Sequence, residues 1–147
     1  MGKKADAPTR TVHQVLDSTL DSVDEAERLA LELATETGFE EEDLHKIGMS
    51  VRECMVNAVV HGNRYHAQKK VNIWVSRTRE RYTVRIVDQG EGFDLNDLPD
   101  PLAVENLLRT SGRGIFLVRS FMDDLQVHRL YTGGTEVILT KIVAGHT

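Results

Sequence analysis

From Leu44 to Asn63 the chain reads L-H-K-I-G-M-S-V-R-E-C-M-V-N-A-V-V-H-G-N. Leu44, Ile47, Val51, Met55 and Ala58 recur at three- and four-residue steps, which predicts a helix with an apolar face. In the second half the apolar character spreads, with Met49, Val56 and Val60 on another side. One narrow polar stripe remains. Glu53, Asn57 and His61 stand at i, i+4 and i+8, so a regular helix lines them up along one edge. A solvated face would carry several Lys and Glu. A thin polar stripe points instead to groups facing an internal cavity, where they need partners. An Asn and a His can equally be satisfied core residues, so the stripe alone does not decide between structure and site.

The rest of the chain alternates in simpler ways. Thr11 to Asp17 reads as a short first strand with Val12 and Leu16 as apolar positions. Asp21 or Ser22 can cap a helix whose first turn holds Asp24 and Glu25, where the helix dipole favours acid. That helix runs to about Thr37, with Leu29, Ala30 and Leu33 inward, and Gly38 ends it. Glu40 to Asp43 open the central helix. Lys70 to Arg77 alternates, with Val71, Ile73 and Val75 on one face and Trp74 on the other. Tyr82, Val84 and Ile86 continue in phase after a turn at Glu80-Arg81, which predicts an antiparallel hairpin. Leu95 to Pro101 reads as a loop and Leu102 to Leu108 as a short helix. Ile115, Val118 and Met122 mark another helix. Asp124 to Tyr131 and Thr135 to Val143 form a closing hairpin around Gly133-Gly134. Grouped strands and grouped helices predict a two-layer α/β (α+β) sandwich, a mainly antiparallel sheet covered on one face by helices.

Composition changes this picture only at its margins. The 147 residues suit one domain, with Met1 to Arg10 as a disordered tail and residues 11–147 as a single unit. The net charge of −5 argues against a main task of holding nucleic acid. No stretch has the length of a membrane span and the N-terminus has no apolar signal core, so no membrane association and a cytoplasmic location are expected. Cys54 is the only cysteine and reads as a small buried hydrophobe. No Cys/His cluster has zinc spacing.

Two glycine stretches carry the remaining chemistry. Asp88-Gln-Gly90-Glu-Gly92 puts a carboxylate at the end of a buried strand, ahead of a turn that glycine makes most readily. Alone it is also an ordinary Asp-Gly turn. Ser111-Gly112-Arg113-Gly114 stands at a helix start, where free backbone N–H groups attract anions and Arg113 adds a positive charge. It matches neither the P-loop nor the Rossmann fingerprint.

Together the segments are far more specific. E-x-x-x-N-x-x-x-H-G-N on a helix, D-x-G-x-G after a strand and S-G-R-G before a helix resemble the GHKL, or Bergerat-fold, ATPase and kinase superfamily. The resemblance covers about Thr11 to Ile142. Within it the chain looks most like the stand-alone bacterial anti-sigma-factor serine/threonine kinases. The resemblance implies a Bergerat ATP-binding fold, ATP and Mg²⁺ as cofactors, and a role for each motif residue. Glu53 is the implied general base and Asn57 the implied Mg²⁺ ligand. His61 and Asn63 line the phosphate end. Asp88 recognises adenine, and Thr135 supplies a hydroxyl position near it. Gly90 and Gly92 form the first glycine box. Ser111, Gly112, Arg113 and Gly114 form the second, on the nucleotide lid. The departures are a short lid and Asn63, where the subfamily often has an aromatic residue.

The implied partners are a sigma factor, a STAS-type antagonist as phosphorylation substrate, and a second copy in a homodimer. The alternative is a nucleotide-gated binding module that transfers no phosphate. A histidine-kinase catalytic fragment ranks lower: about fifty residues precede Glu53, and His13 falls in a predicted strand. A topoisomerase-type ATPase, with its following transducer domain, ranks lower still.

Overall fold

The structure is a computed structural model, and it describes residues 9–90 and 114–143. Strand β1 spans Arg10–Asp17, helix α1 Asp21–Thr37 and helix α2 Glu41–Val56. A π-helical segment, Asn57–Gly62, continues α2 without a break. Then come β2 (Lys70–Arg77), β3 (Arg81–Val87), α3 (Gly114–Phe121), β4 (Asp124–Arg129) and β5 (Thr135–Ile142). The strands form one five-stranded antiparallel sheet in the order β1-β2-β3-β5-β4. The predicted two-layer α/β sandwich is what is found.

The alternation in the strands is what places the core. Val71, Ile73 and Val75 of β2 and Tyr82, Val84 and Ile86 of β3 turn inward and are buried. They meet Val23, Ala26, Ala30 and Leu33 of α1 and Ile47, Val51 and Met55 of α2. Tyr82 satisfies its buried hydroxyl by donating to the Ala30 carbonyl at 2.6 Å, and its ring meets Phe39 edge-on. On the opposite face His13 stacks on Trp74 at 4.4 Å, and the Arg85 guanidinium lies 4.3 Å above the Trp74 ring.

Several boundaries differ from expectation for local reasons. β1 takes in Arg10, which pairs with Arg77, so the strand starts one residue earlier than predicted. α1 begins at Asp21 itself, with Leu20 in the cap position and no side-chain cap. Gly38 ends α1 as predicted, at φ +99°, donating to the carbonyls of Ala34 and Thr35. The β2–β3 turn is closed by Thr78, whose Oγ1 accepts the N–H groups of Glu80 and Arg81. Met49 remains exposed although it lies on the side of α2 that faces α3. The expected loop Leu95–Pro101 and helix Leu102–Leu108 lie outside the described residues.

Candidate functional site

α2 and its π-helical continuation form one rod carrying most of the polar stripe. Glu53 sits near its C-terminal part, half-buried, in a cleft between α2 and α3 lined by Met49, Ser50, Leu117, Val118 and Phe121. Among the described residues nothing hydrogen-bonds its carboxylate. Asn57 stands one turn on, at the first position of the π segment, and is buried. Its Oδ1 and Nδ2 both lack a hydrogen-bond partner among the described residues. A buried amide with neither end satisfied is costly in a finished fold. It fits a residue whose partners arrive with a ligand.

The π segment changes which residue follows Asn57 around the rod. A π-helix bonds i to i+5, so Gly62 takes the place above Asn57 that His61 would hold in a regular helix. His61 is accordingly exposed, and the expected straight line of Glu53, Asn57 and His61 is broken at its third member. Gly62 instead comes against Asp88. A methyl group at position 62 would stand 2.5 Å from Asp88 Oδ2. Nor has Gly90 room for a side chain, since a Cβ there would run into the Gly62 carbonyl. In the sequence Gly62 shows only as the glycine of H-G-N, with nothing to mark its contact with Asp88.

Asp88 follows β3 and is buried. Its Oδ1 accepts the N–H groups of Gly90 at 3.0 Å and Thr135 at 3.1 Å, while its own N–H donates to the Thr135 carbonyl at 3.0 Å. Burial raises its pKa above the ordinary carboxylate value. The Gly90 and Thr135 N–H groups and the nearby Lys69 charge pull the other way. Thr135, the first residue of β5, thus touches Asp88 through its backbone. Gly134 before it has φ +96°, and a side chain there would strike the Asp88 backbone carbonyl.

Asn63, for which the resemblance implies a place at the phosphate end, spends its side-chain bonds on protein. Nδ2 donates to Ser18 Oγ at 2.8 Å and to the Lys70 carbonyl at 3.0 Å, and Oδ1 accepts the Gln89 N–H at 2.8 Å. It is 1% exposed, a brace tying the ends of β1, β2 and β3 to the rod. Beyond it Arg64 and Tyr65 both have positive φ, 52° and 60°, which turns the chain sharply out of the helix. Cys54 matches its reading: it is buried, and its thiol is pushed up to about 12 by desolvation, with Glu53 adding to the shift. Gly114 opens α3 as the second glycine box predicts. Gly92, Ser111, Gly112 and Arg113, and the side chain of Ile115, lie outside the described residues.

The rod therefore joins two chemically different places. One end offers an unpaired carboxylate and an unsatisfied amide. The other offers a buried acid held by two backbone donors. A family model described as histidine kinase-like ATPase domain matches residues 16–141. The chain belongs to the histidine kinase-like ATPase domain family. Its relatives include a serine-protein kinase RsbW of Oceanobacillus iheyensis, 29% identical over 118 residues, covering 76% of this chain and 73% of that one. An anti-sigma F factor of Bacillus licheniformis is 32% identical over 104 residues, covering 68% and 70%. Among solved structures, the RsbU and RsbW domains of a Mycobacterium tuberculosis protein superpose with a TM-score of 0.66 at 19% identity. That match covers 92% of this chain and 33% of the other, and it shows the fold.

Within this family the site's donor set can be tested against Mg²⁺ and ATP. Among the described residues no group of three His, Cys, Asp or Glu side chains could hold a metal. Mg²⁺ usually keeps several waters and takes one or two protein oxygens plus substrate phosphates. The single unsatisfied amide of Asn57 fits that pattern. Among the described residues no helix is long and apolar enough to cross a membrane.

Proposed function

We propose that this protein is an ATP-dependent serine/threonine kinase that acts as an anti-sigma factor. It binds a sigma factor and phosphorylates a STAS-type antagonist, working as a cytoplasmic homodimer. The observation that carries this is the pairing on one rod of an unbonded carboxylate, Glu53, with a buried, wholly unsatisfied amide, Asn57. A binding module that only sequesters a partner needs the amide and the adenine acid but has no use for a free carboxylate beside them. Relatives named serine-protein kinase and anti-sigma F factor support the reading. His13, the histidine a phosphorelay fragment would need, is a β1 residue stacked on Trp74 and bonded to Asn72 Oδ1 at 2.8 Å.

Phosphoryl transfer asks a protein for positioning and charge neutralisation more than for covalent chemistry. Bound Mg²⁺-ATP supplies the transferable phosphoryl group and neutralises its charge. Asn57 offers its amide oxygen to the metal. Asp88, its Oδ1 engaged by two backbone donors, would keep acceptor capacity for the exocyclic amine of adenine. Glu53 would take the proton from a serine or threonine hydroxyl of the antagonist, so that this oxygen bonds the γ-phosphorus as the bond to the β-phosphate oxygen breaks and ADP leaves. The glycine boxes, Gly90 and Gly92 and then Ser111 to Gly114, let phosphate and ribose approach backbone.

Removing the base separates the steps. Glu53→Ala is expected to keep ATP affinity within about twofold while slowing phosphotransfer by about 10²–10⁴, the usual contribution of a general base. Incubation with radiolabelled ATP and a STAS-domain protein, with phosphosite mass spectrometry, reads this directly. Transfer at the wild-type rate would remove Glu53 from the mechanism. A wild-type protein that binds ATP but never transfers phosphate would leave the gated binding module as the correct reading.

A further inference from the structure

Among the described residues four buried side-chain polar atoms lack a hydrogen-bond partner, and three of them belong to Ser50 and Asn57. The two residues are seven apart, two helical turns on one face, with Glu53 between them. Ser50 is 0% exposed and lines the same cleft as Glu53, against Leu117, Val118 and Phe121 of α3. A serine inside a helix commonly spends its hydroxyl on the carbonyl four residues back. Ser50 makes no such bond. Alanine would fill this place equally well and leave nothing unsatisfied, so packing gives no reason for the hydroxyl.

One acceptor in reach is the Glu53 carboxylate. Residues at i and i+3 on a helix are neighbours, with Cβ atoms roughly 5–6 Å apart, and a glutamate side chain spans that gap. Neither group is bonded to the other in the structure, and neither has another partner among the described residues. An orphan donor therefore lies one turn below an orphan acceptor, on the wall of one cleft.

We propose that Ser50 is a positioning residue for phosphotransfer: its hydroxyl donates to one oxygen of the Glu53 carboxylate and aims the other at the acceptor hydroxyl. The inference rests on the kinase reading above. Ser50 touches neither nucleotide nor acceptor. It narrows the rotamers Glu53 can occupy, and it does so at the expense of an unsatisfied hydroxyl whenever the carboxylate swings away. Functional sites tolerate such local costs where packing alone would not.

The test compares wild type with Ser50→Ala, Ser50→Thr, Glu53→Ala and the Ser50→Ala/Glu53→Ala double variant. Each is assayed with Mg²⁺-ATP and a purified STAS-domain protein, with ADP affinity by calorimetry and thermal unfolding alongside. Ser50→Ala is expected to lower kcat about tenfold, as for loss of one hydrogen bond to a charged group. KM for ATP, KM for the acceptor and ADP affinity stay within about twofold. The unfolding midpoint stays level or rises, because an unsatisfied buried hydroxyl is gone. Ser50→Thr, which keeps the hydroxyl, recovers most of kcat. Ser50→Ala adds nothing on top of Glu53→Ala. Unchanged kcat in Ser50→Ala overturns the inference and leaves the kinase reading standing. A fall in midpoint and ADP affinity together with kcat also overturns it, since that is a packing role. Absence of transfer by wild type overturns both, and the wild-type assay alone reveals it.

Discussion

Asp88 is held between opposing demands. Burial favours its neutral form, while the Gly90 and Thr135 N–H groups and Lys69 favour the charged one, and burial prevails. With the folded pKa above the unfolded one, the fold prefers the protonated acid. That contribution is fully present below the ordinary carboxylate value and is lost as pH rises through the folded pKa. Asp88→Asn keeps an oxygen for both backbone donors and never has to carry a buried charge. In urea unfolding across a pH series it should match wild type in acid and become the more stable protein as pH rises toward neutrality. The same change should weaken ADP binding, by about 1–3 kcal/mol, the scale of an unpaired buried polar group, measured by calorimetry. Gain of stability with loss of binding would mark Asp88 as a residue kept for its ligand. Its place at the end of a strand before glycine was legible in D-x-G-x-G. Its donors were not, because Thr135 lies 47 residues away in the chain.

The rod shows how an element can be read almost correctly. Apolar spacing from Leu44 to Ala58 gave a helix, and a helix is there. The change to π geometry at Asn57 left no mark in N-A-V-V-H-G, which holds no proline and no obvious break. One extra residue in the turn exchanges His61 for Gly62 at the contact with Asp88, and only glycine fits there. Gly62→Ala should therefore push Asp88 or the rod aside. It is expected to cost about 1–3 kcal/mol of stability, as overpacking does, and to reduce nucleotide affinity with it. Chemical denaturation and ADP calorimetry on the same sample check both. A neutral outcome in both would mean the junction is looser than its geometry. The hydrogen bonds of Asn63 were equally hidden in the sequence, because three strand ends converge on it and claim its whole side chain.

At the scale of the molecule, β3 and β5 are neighbours although 47 residues separate Val87 from Thr135, and β4 lies at the edge. This order brings Asp88, Gly134 and Thr135 together at one end of the sheet, beside the end of the rod. α3 packs against α2 and closes the cleft around Glu53. Ligand binding to such an assembly should stabilise all of it. A nucleotide at about a hundredfold its Kd is expected to add about 2.7 kcal/mol to unfolding free energy by mass action. Asn57→Ala should erase the part of that gain that depends on Mg²⁺ and spare the part that ADP gives without it. Denaturation with ADP, with and without Mg²⁺, separates the two. Equal Mg²⁺ dependence in wild type and Asn57→Ala would take the amide out of the metal site.

What the chain by itself determined is local and periodic. Alternation in Lys70–Arg77 and Arg81–Val87 made strands with a chosen inner face, three-and-four spacing made α1 and α2, and Gly38 and Gly133-Gly134 made ends and turns. Each of these depends on residues within a few positions of one another. The tertiary structure decided what depends on distant partners. It set the strand order, the wider turn that puts Gly62 against Asp88, and the capture of Asn63 by three strand ends. It also left Ser50, Glu53 and Asn57 without partners among the described residues, spaced along one face of the rod. Periodicity says which side of an element is buried; only the packed neighbours decide which buried polar groups are satisfied and which wait for a ligand.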